Sequence, residues 1–212
     1  VESEGDAQAA ATWFERGCEL GVARACFNLG VMHQHGVGVG SDLERAARLH
    51  ERACEGGEPV ACSDLAVMFR EGRGVPVDDR RAVALLERAC EEHVSAACFN
   101  LGLHLEEGRG VVGSLSGAAQ MYGKACDWGE LRGCNNLGLL RERGAGVLRD
   151  KAVAARLYGQ ACDGGLLSSC VNLGALLELG DGVTADRKRA FDLYRKACEG
   201  GVSEACDHIG GK

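Results

Sequence analysis

Aromatic residues make up only 5% of this sequence, and it contains two prolines. Few aromatics beside 32 glycines suit short helices packed closely and joined by tight turns. No basic run occurs, and the net charge is −7. Nucleic-acid binding needs clustered Lys and Arg to displace counterions, so no nucleic-acid partner is expected. Acidic membrane surfaces are disfavoured for the same reason. No apolar stretch approaches the roughly 18 residues of a spanning helix, so membrane insertion is not expected. No signal peptide is visible, and the chain begins with Val1 rather than Met. That reads as a mature or trimmed product from which an export signal could have been removed. At 46% hydrophobic, the 212 residues are enough to bury a continuous core.

Cysteine is the abundant exception. Six residues (Cys18, Cys54, Cys90, Cys126, Cys162 and Cys198) step by 36 without a slip, and six more (Cys26, Cys62, Cys98, Cys134, Cys170 and Cys206) follow each at C-x7-C spacing. A fixed period of this length is the signature of a solenoid. One elongated unit over 1–212 is expected, with a half repeat at 1–22, full repeats at 23–58, 59–94, 95–130, 131–166 and 167–202, and a partial repeat at 203–212.

Each 36-residue line repeats one grammar. Asp6, Asp42, Asp78, Ser114, Asp150 and Asp186 share a position and read as N-caps, which accept hydrogen bonds from the free N–H groups of a helix start. A helix, B, follows each cap, with one apolar face such as Ala46, Leu49, His50 and Ala53. It closes near Gly21, Gly57, Gly129, Gly165 and Gly201, with His93 in the glycine place of the third line. Helix A runs next, through segments such as Ala25 to His35, and stops at Gly36, Gly72, Gly108, Gly144 and Gly180. A G-x-G-V loop closes the unit. Gly30, Gly102, Gly138 and Gly174 lie inside helix A, with Ala66 as the substitute. Helical glycine costs about 1 kcal/mol against alanine, so its recurrence implies a close approach.

Catalytic motifs are missing. No serine has a lysine at S-x-x-K spacing, and neither G-x-S-x-G nor H-E-x-x-H occurs. No nucleophile–base pair can be named, so no catalytic residue is assigned and an enzyme is not the favoured reading. Gly108, Gly110 and Gly113 spell G-x-G-x-x-G, but in a helix-to-helix loop rather than after a strand, so no nucleotide cofactor is expected. His33, His35 and His50 read as core or surface histidines, not metal ligands, since His50 shares the core register of Phe14, Leu86, Tyr122, Tyr158 and Tyr194.

The pattern A-C-F-N-L-G…G-x-G-V…D…A…Y…A-C closely resembles the Sel1-like repeat, a relative of the tetratricopeptide repeat. Its cysteine-bearing form resembles the Helicobacter cysteine-rich proteins. The resemblance implies an all-α fold, a right-handed α/α superhelix of hairpins whose A helices line a concave face. It also implies a protein- or peptide-binding scaffold. By the same resemblance, Asn28, Asn100, Asn136 and Asn172 would hold a bound peptide backbone; the other reading is that they cap or bridge neighbouring hairpins. Asp64 and His208 take their place in two lines. The concave face would also present Arg24, Phe27, Arg70, Phe99, Arg132 and Asn135, with Gln34, Glu142 and Glu178 among its neighbours. The cysteine-rich relatives carry a reputation for penicillin binding and weak β-lactamase activity, which makes a β-lactam-binding protein or hydrolase the alternative. The chain opens on a B helix (Asp6 to Leu20) without its A partner, leaving Trp13 and Phe14 short of cover, and closes on a curtailed A helix (Ser203 to Ile209). End-to-end contacts through these incomplete repeats are expected.

Three readings of the cysteines stand side by side. They are buried thiols, metal ligands at a spacing poor for zinc, or bridges Cys18–Cys26, Cys54–Cys62, Cys90–Cys98, Cys126–Cys134, Cys162–Cys170 and Cys198–Cys206. Cysteine fills both members of all six pairs, which a bridge requires and packing does not. Each bridge would close a nine-residue loop, contributing about 2.6 kcal/mol in the chain-entropy treatment. Bridges imply an oxidising compartment, hence a secreted or periplasmic chain, or the mitochondrial intermembrane space if the source is eukaryotic.

Overall fold

A computed structural model describes residues 2–210, with side chains from residue 5 onward. Val1, Gly211 and Lys212, counted above in the terminal repeats, lie outside the described residues. The chain divides into two compact units, residues 1–112 and 113–212. The first contains α1 (Glu2–Glu19), α2 (Ala23–His35), α3 (Leu43–Glu55), α4 (Pro59–Glu71), α5 (Asp79–Glu91) and α6 (Ser95–Glu107). The second contains α7 (Leu115–Asp127), α8 (Leu131–Arg143), α9 (Lys151–Asp163), α10 (Leu167–Leu179), α11 (Arg187–Glu199) and α12 (Ser203–Gly210). The odd helices are the B helices and the even ones the A helices. No strand occurs among the described residues, and none of their helices is long and apolar enough to cross a membrane.

Five of the six expected caps start a helix. Asp42, Asp78, Ser114, Asp150 and Asp186 each accept a backbone N–H from three residues on, at 2.8–3.0 Å. Losing such a cap costs about 1 kcal/mol. Asp6 is the exception: α1 already begins at Glu2, so Asp6 lies inside it. Glu2 and Ser3 stand where the second glycine and the valine of the loop fall in the other lines, and the helix runs through them.

Left-handed backbone precedes helix A and, in α2, α4, α6, α8 and α10, also closes it. Gly57 has φ 90° and Gly72 has φ 67°. His93 adopts the same conformation at φ 64°, a strained place for a residue with a Cβ. The second loop glycine serves a different need. A Cβ on Gly38 would stand 2.5 Å from the Ala7 backbone, so the loop packs on the start of the preceding B helix.

Each hairpin turn carries a disulfide. All six predicted bridges are formed, with Cα–Cα separations of 4.5–4.9 Å. A cation from the next B helix reaches back to the bridged turn: Arg52 donates to the Cys18 carbonyl at 2.8 Å, Arg88 to the Cys54 carbonyl at 2.8 Å, and Lys196 to the Cys162 carbonyl at 3.1 Å. These carbonyls end a helix, where each also accepts the N–H of the turn glycine (Gly21, Gly57 or Gly165) at 3.0–3.1 Å; a cation there adds a second bond and opposes the helix dipole.

The core between A and B helices is built on alanine and one large side chain per turn. Ala46, Ala53, Ala82, Ala89, Ala154 and Ala161 are wholly buried, as are Leu29, His50 and Tyr158. Burying a side chain of Leu size stabilises by about 1.5–3 kcal/mol. The helix A glycines exist to admit the ring: a Cβ on Gly30 would lie 2.9 Å from the His50 ring, one on Gly138 2.6 Å from Tyr158, and one on Gly174 2.8 Å from Tyr194. Ala66 stands in the same register opposite Leu86, which has no ring.

At the start of the first unit, Trp13 is 69% exposed and Phe14 half-buried. Arg16 lies 5.7 Å over the Trp13 ring.

Candidate functional site

In the first unit the candidate side chains lie on α2, α4 and α6. Arg24 is exposed and paired with Glu58 at 3.1 Å. Phe27 is half-buried, tilted against His50 with ring centroids 5.6 Å apart. Arg70 bonds its neighbour Glu71 at 2.8 Å. Phe99 is buried, as are Ser63 and Val171 in its register, so it forms wall rather than surface. Asn28 and Asn100 are half-buried, and neither has a side-chain hydrogen bond among the described residues. Asp64 takes the asparagine place between them. Burial pushes its carboxyl up, and the charge of His35 partly opposes this.

The second unit treats the same register differently. Asn135 accepts from the Ser169 hydroxyl at 2.8 Å and from the Asn172 amide at 3.0 Å. Its own amide donates to the Asn136 carbonyl oxygen at 3.3 Å. Ser169 is wholly buried, so this bond satisfies a hydroxyl that would otherwise be stranded. The bridging role expected as the alternative for the asparagines is seen for Asn172, which ties α10 to α8, whereas Asn136 meets its neighbour Asn135 within α8. Arg132 grips Glu130 through two bonds of 2.8 Å, which hold the Glu130 carboxyl below the usual range.

Two further contacts were not foreseen. Tyr158 donates its hydroxyl to Glu142 at 2.7 Å, and Tyr194 to Glu178 at 3.0 Å. In the first unit His50 and Gln34 stand in the same relation at 3.3 Å. Residues assigned to the concave face thus also satisfy the buried polar ends of the B-helix rings. The Tyr–Glu spacing of 16 was available in the sequence as a signal. Tyr194 is pushed up to about 12, by burial first and then by its bond to Glu178; Tyr158 moves the same way for the same reasons. His50 is lowered to about 4 by burial. His33 and His104 use Nδ1 against the backbone carbonyls of Gly40 and Arg109 at 3.2 and 2.9 Å. No group of His, Cys, Asp or Glu able to hold a metal ion occurs among the described residues.

Solved structures share this fold. A protective antigen of uropathogenic Escherichia coli that displays an SLR fold superposes with a TM-score of 0.89 at 32% identity, over 92% of this chain and 42% of the antigen. This chain therefore spans less than half of that protein. A Sel1 repeat protein from Oxalobacter formigenes gives a TM-score of 0.88 at 27% identity, over 97% of this chain and 84% of its own. Helicobacter pylori cysteine-rich protein B gives 0.51 at 30% identity, over 61% of this chain and 93% of its own. No curated protein matches the sequence. The Sel1 repeat model matches residues 2–22, 23–58, 59–93, 95–129, 131–166 and 167–202, so nearly the whole sequence is accounted for, and the chain belongs to the Sel1 repeat family.

Proposed function

We propose that this chain is a protein- or peptide-binding scaffold whose ligand lies along the A helices, and that it works in an oxidising compartment, secreted or periplasmic. Repeats of this family commonly carry protein interactions. The observation that carries the reading is the state of Asn28 and Asn100. Their amides are half-buried yet not used by the scaffold, whereas Asn172 and Asn136 are tied into the Asn135 network. An extended peptide presents backbone N–H and C=O groups that a side-chain amide matches with one donor and one acceptor. Six disulfides hold the hairpins before any ligand arrives, which lowers the ordering cost of binding. They also support the oxidising location, because such bridges persist where glutathione does not reduce them. The 36-residue register passes residue 112 without a slip, which supports one repeat array over 1–212.

The hydrolytic alternative gains nothing from the site. Ser169 is buried and donates to Asn135, and Ser114 caps a helix, so neither is offered as a nucleophile.

The test is selection of peptides from a displayed random library against the oxidised chain, followed by affinity measurement on Asn28→Ala with Asn100→Ala. Each lost hydrogen bond is worth about 1 kcal/mol, or roughly fivefold in Kd. The double variant should weaken selected peptides by about tenfold or more while its unfolding midpoint stays put. Unchanged affinity removes the two asparagines from the site.

A further inference from the structure

A groove of about 570 Å³ opens in the second unit between the B helices α9 and α11. Leu173 and Leu177 of α10 form its floor, and Arg156 and Arg189 stand on its rim. Three repeats earlier, in the first unit, the same register positions enclose only about 250 Å³. There the Arg81 guanidinium lies 4.5 Å over the Phe69 ring and is ion-paired with Glu51, while Arg48 faces Glu44 at 3.9 Å.

The second unit keeps both arginines and loses everything that neutralised them. Ala152 stands where Glu44 was, Gly159 where Glu51 was, and Leu177 where Phe69 was. Packing does not demand Gly159: a Cβ there would meet Leu173 at 3.8 Å, an ordinary contact, and its φ is not left-handed. A helical glycine with room for a side chain weakens the helix without local return. Neither Arg156 nor Arg189 has an ion pair among the described residues, and both are exposed. Asp186 is engaged as the cap of α11, and Asp163 on the rim is paired with neither arginine. Two open guanidiniums beside an apolar floor are thus left in a chain whose net charge is −7.

We propose that this groove docks a segment of a partner protein carrying an aromatic side chain beside a carboxylate. Those are the two groups that Phe69 and Glu51 supply internally in the first unit. The incoming ring would lie on Leu173 and Leu177 beneath Arg189, where a guanidinium attracts an aromatic face. The carboxylate would take charge-assisted hydrogen bonds from Arg189 or Arg156. The site lies on the B-helix side and uses none of the asparagines, so it stands or falls separately from the A-helix reading.

Fluorescence anisotropy on the oxidised chain tests this with two labelled peptides, one with Asp-Phe-Glu and one with Lys-Phe-Lys between glycines. The acidic peptide should bind at least about tenfold more tightly, with affinity falling as salt rises. Gly159→Glu combined with Leu177→Phe rebuilds the first unit's arrangement and should weaken the acidic peptide by about tenfold or more, while Asn28→Ala with Asn100→Ala leaves it unchanged. Should the rebuilt variant not fold, Arg189→Gln gives the same readout with a loss of at least about fivefold. Absence of binding, equal binding of the two peptides, or undiminished binding by the rebuilt and Arg189→Gln variants each overturns the proposal.

Discussion

The ring of Tyr158 occupies the space that a side chain on Gly138 would need, with Tyr158 Cε1 2.6 Å from the place of a Cβ. The same relation joins Tyr194 to Gly174 and His50 to Gly30, and where Leu86 replaces the ring Ala66 replaces the glycine. Ring and glycine therefore form one packing unit across the A–B interface. Gly138→Ala should gain about 1 kcal/mol of helix propensity and, with three ring atoms of Tyr158 at 2.6–3.2 Å from the new Cβ, lose about 2–3 kcal/mol to overpacking, a net destabilisation. Adding Tyr158→Leu should recover part of the loss, as the Ala66 and Leu86 pair does. Denaturant midpoints of the two variants decide it; a Gly138→Ala chain at or above wild-type stability contradicts the packing account.

Intact mass after alkylation checks the bridges. The unreduced, denatured chain should take up no alkyl group, and the reduced chain twelve. Replacing Cys126 and Cys134 together with alanine should lower stability by about 2.6 kcal/mol, read as a lower denaturant midpoint in the absence of reductant.

His50 sets an acid limit. Its folded pKa, about 4 against an ordinary 6.5, means that the folded state binds its proton less readily than the unfolded chain. The associated stability is complete above pH 6.5 and is lost as pH falls through 4, to the extent of about 3 kcal/mol. Asp64, with its pKa raised, acts in the opposite sense, so the comparison must be made within one position. His50→Leu places there the residue found in the Leu86 register. Its stability should vary less than wild type's between pH 6.5 and 4 in parallel urea titrations.

Asn135→Ala should cost about 1–3 kcal/mol, because the buried Ser169 hydroxyl loses its acceptor. Ser169→Ala made in that background should restore much of it, since the stranded group is then gone. Thermal unfolding of the single and double variants is the measurement. A neutral Asn135→Ala would free this residue for a purely ligand-facing role.

Much of the scaffold was legible because its constraints are local. Asp42 through Asp186 cap their helices as read, and the bridges join the cysteines that occur together in every line, eight positions apart. Asp6 was misread because a cap is defined by what breaks the chain before it, and nothing does so there. The site was less legible because its residues meet through space. Asn135 and Ser169 are 34 apart on consecutive A helices, and nothing in either hairpin alone announces their bond. Phe99 reads as a groove aromatic by register, yet at 7% exposure it belongs to the wall. The groove beside Arg189 shows only when one repeat is subtracted from another, since what marks it is the loss of Glu51 and Phe69.

The carbonyls of Cys18, Cys54 and Cys162 receive their cations from residues 34 positions later, whereas every sulfur finds its mate only eight positions away. Both thiols of a hairpin therefore precede, in chain order, the residue that supplies its cation. Each hairpin can oxidise as soon as its turn emerges, before its successor exists to compete for its thiols. Arg52, Arg88 and Lys196 then latch onto a turn whose sulfur pairing is already decided, so the chain can mature link by link with little opportunity for cross-pairing.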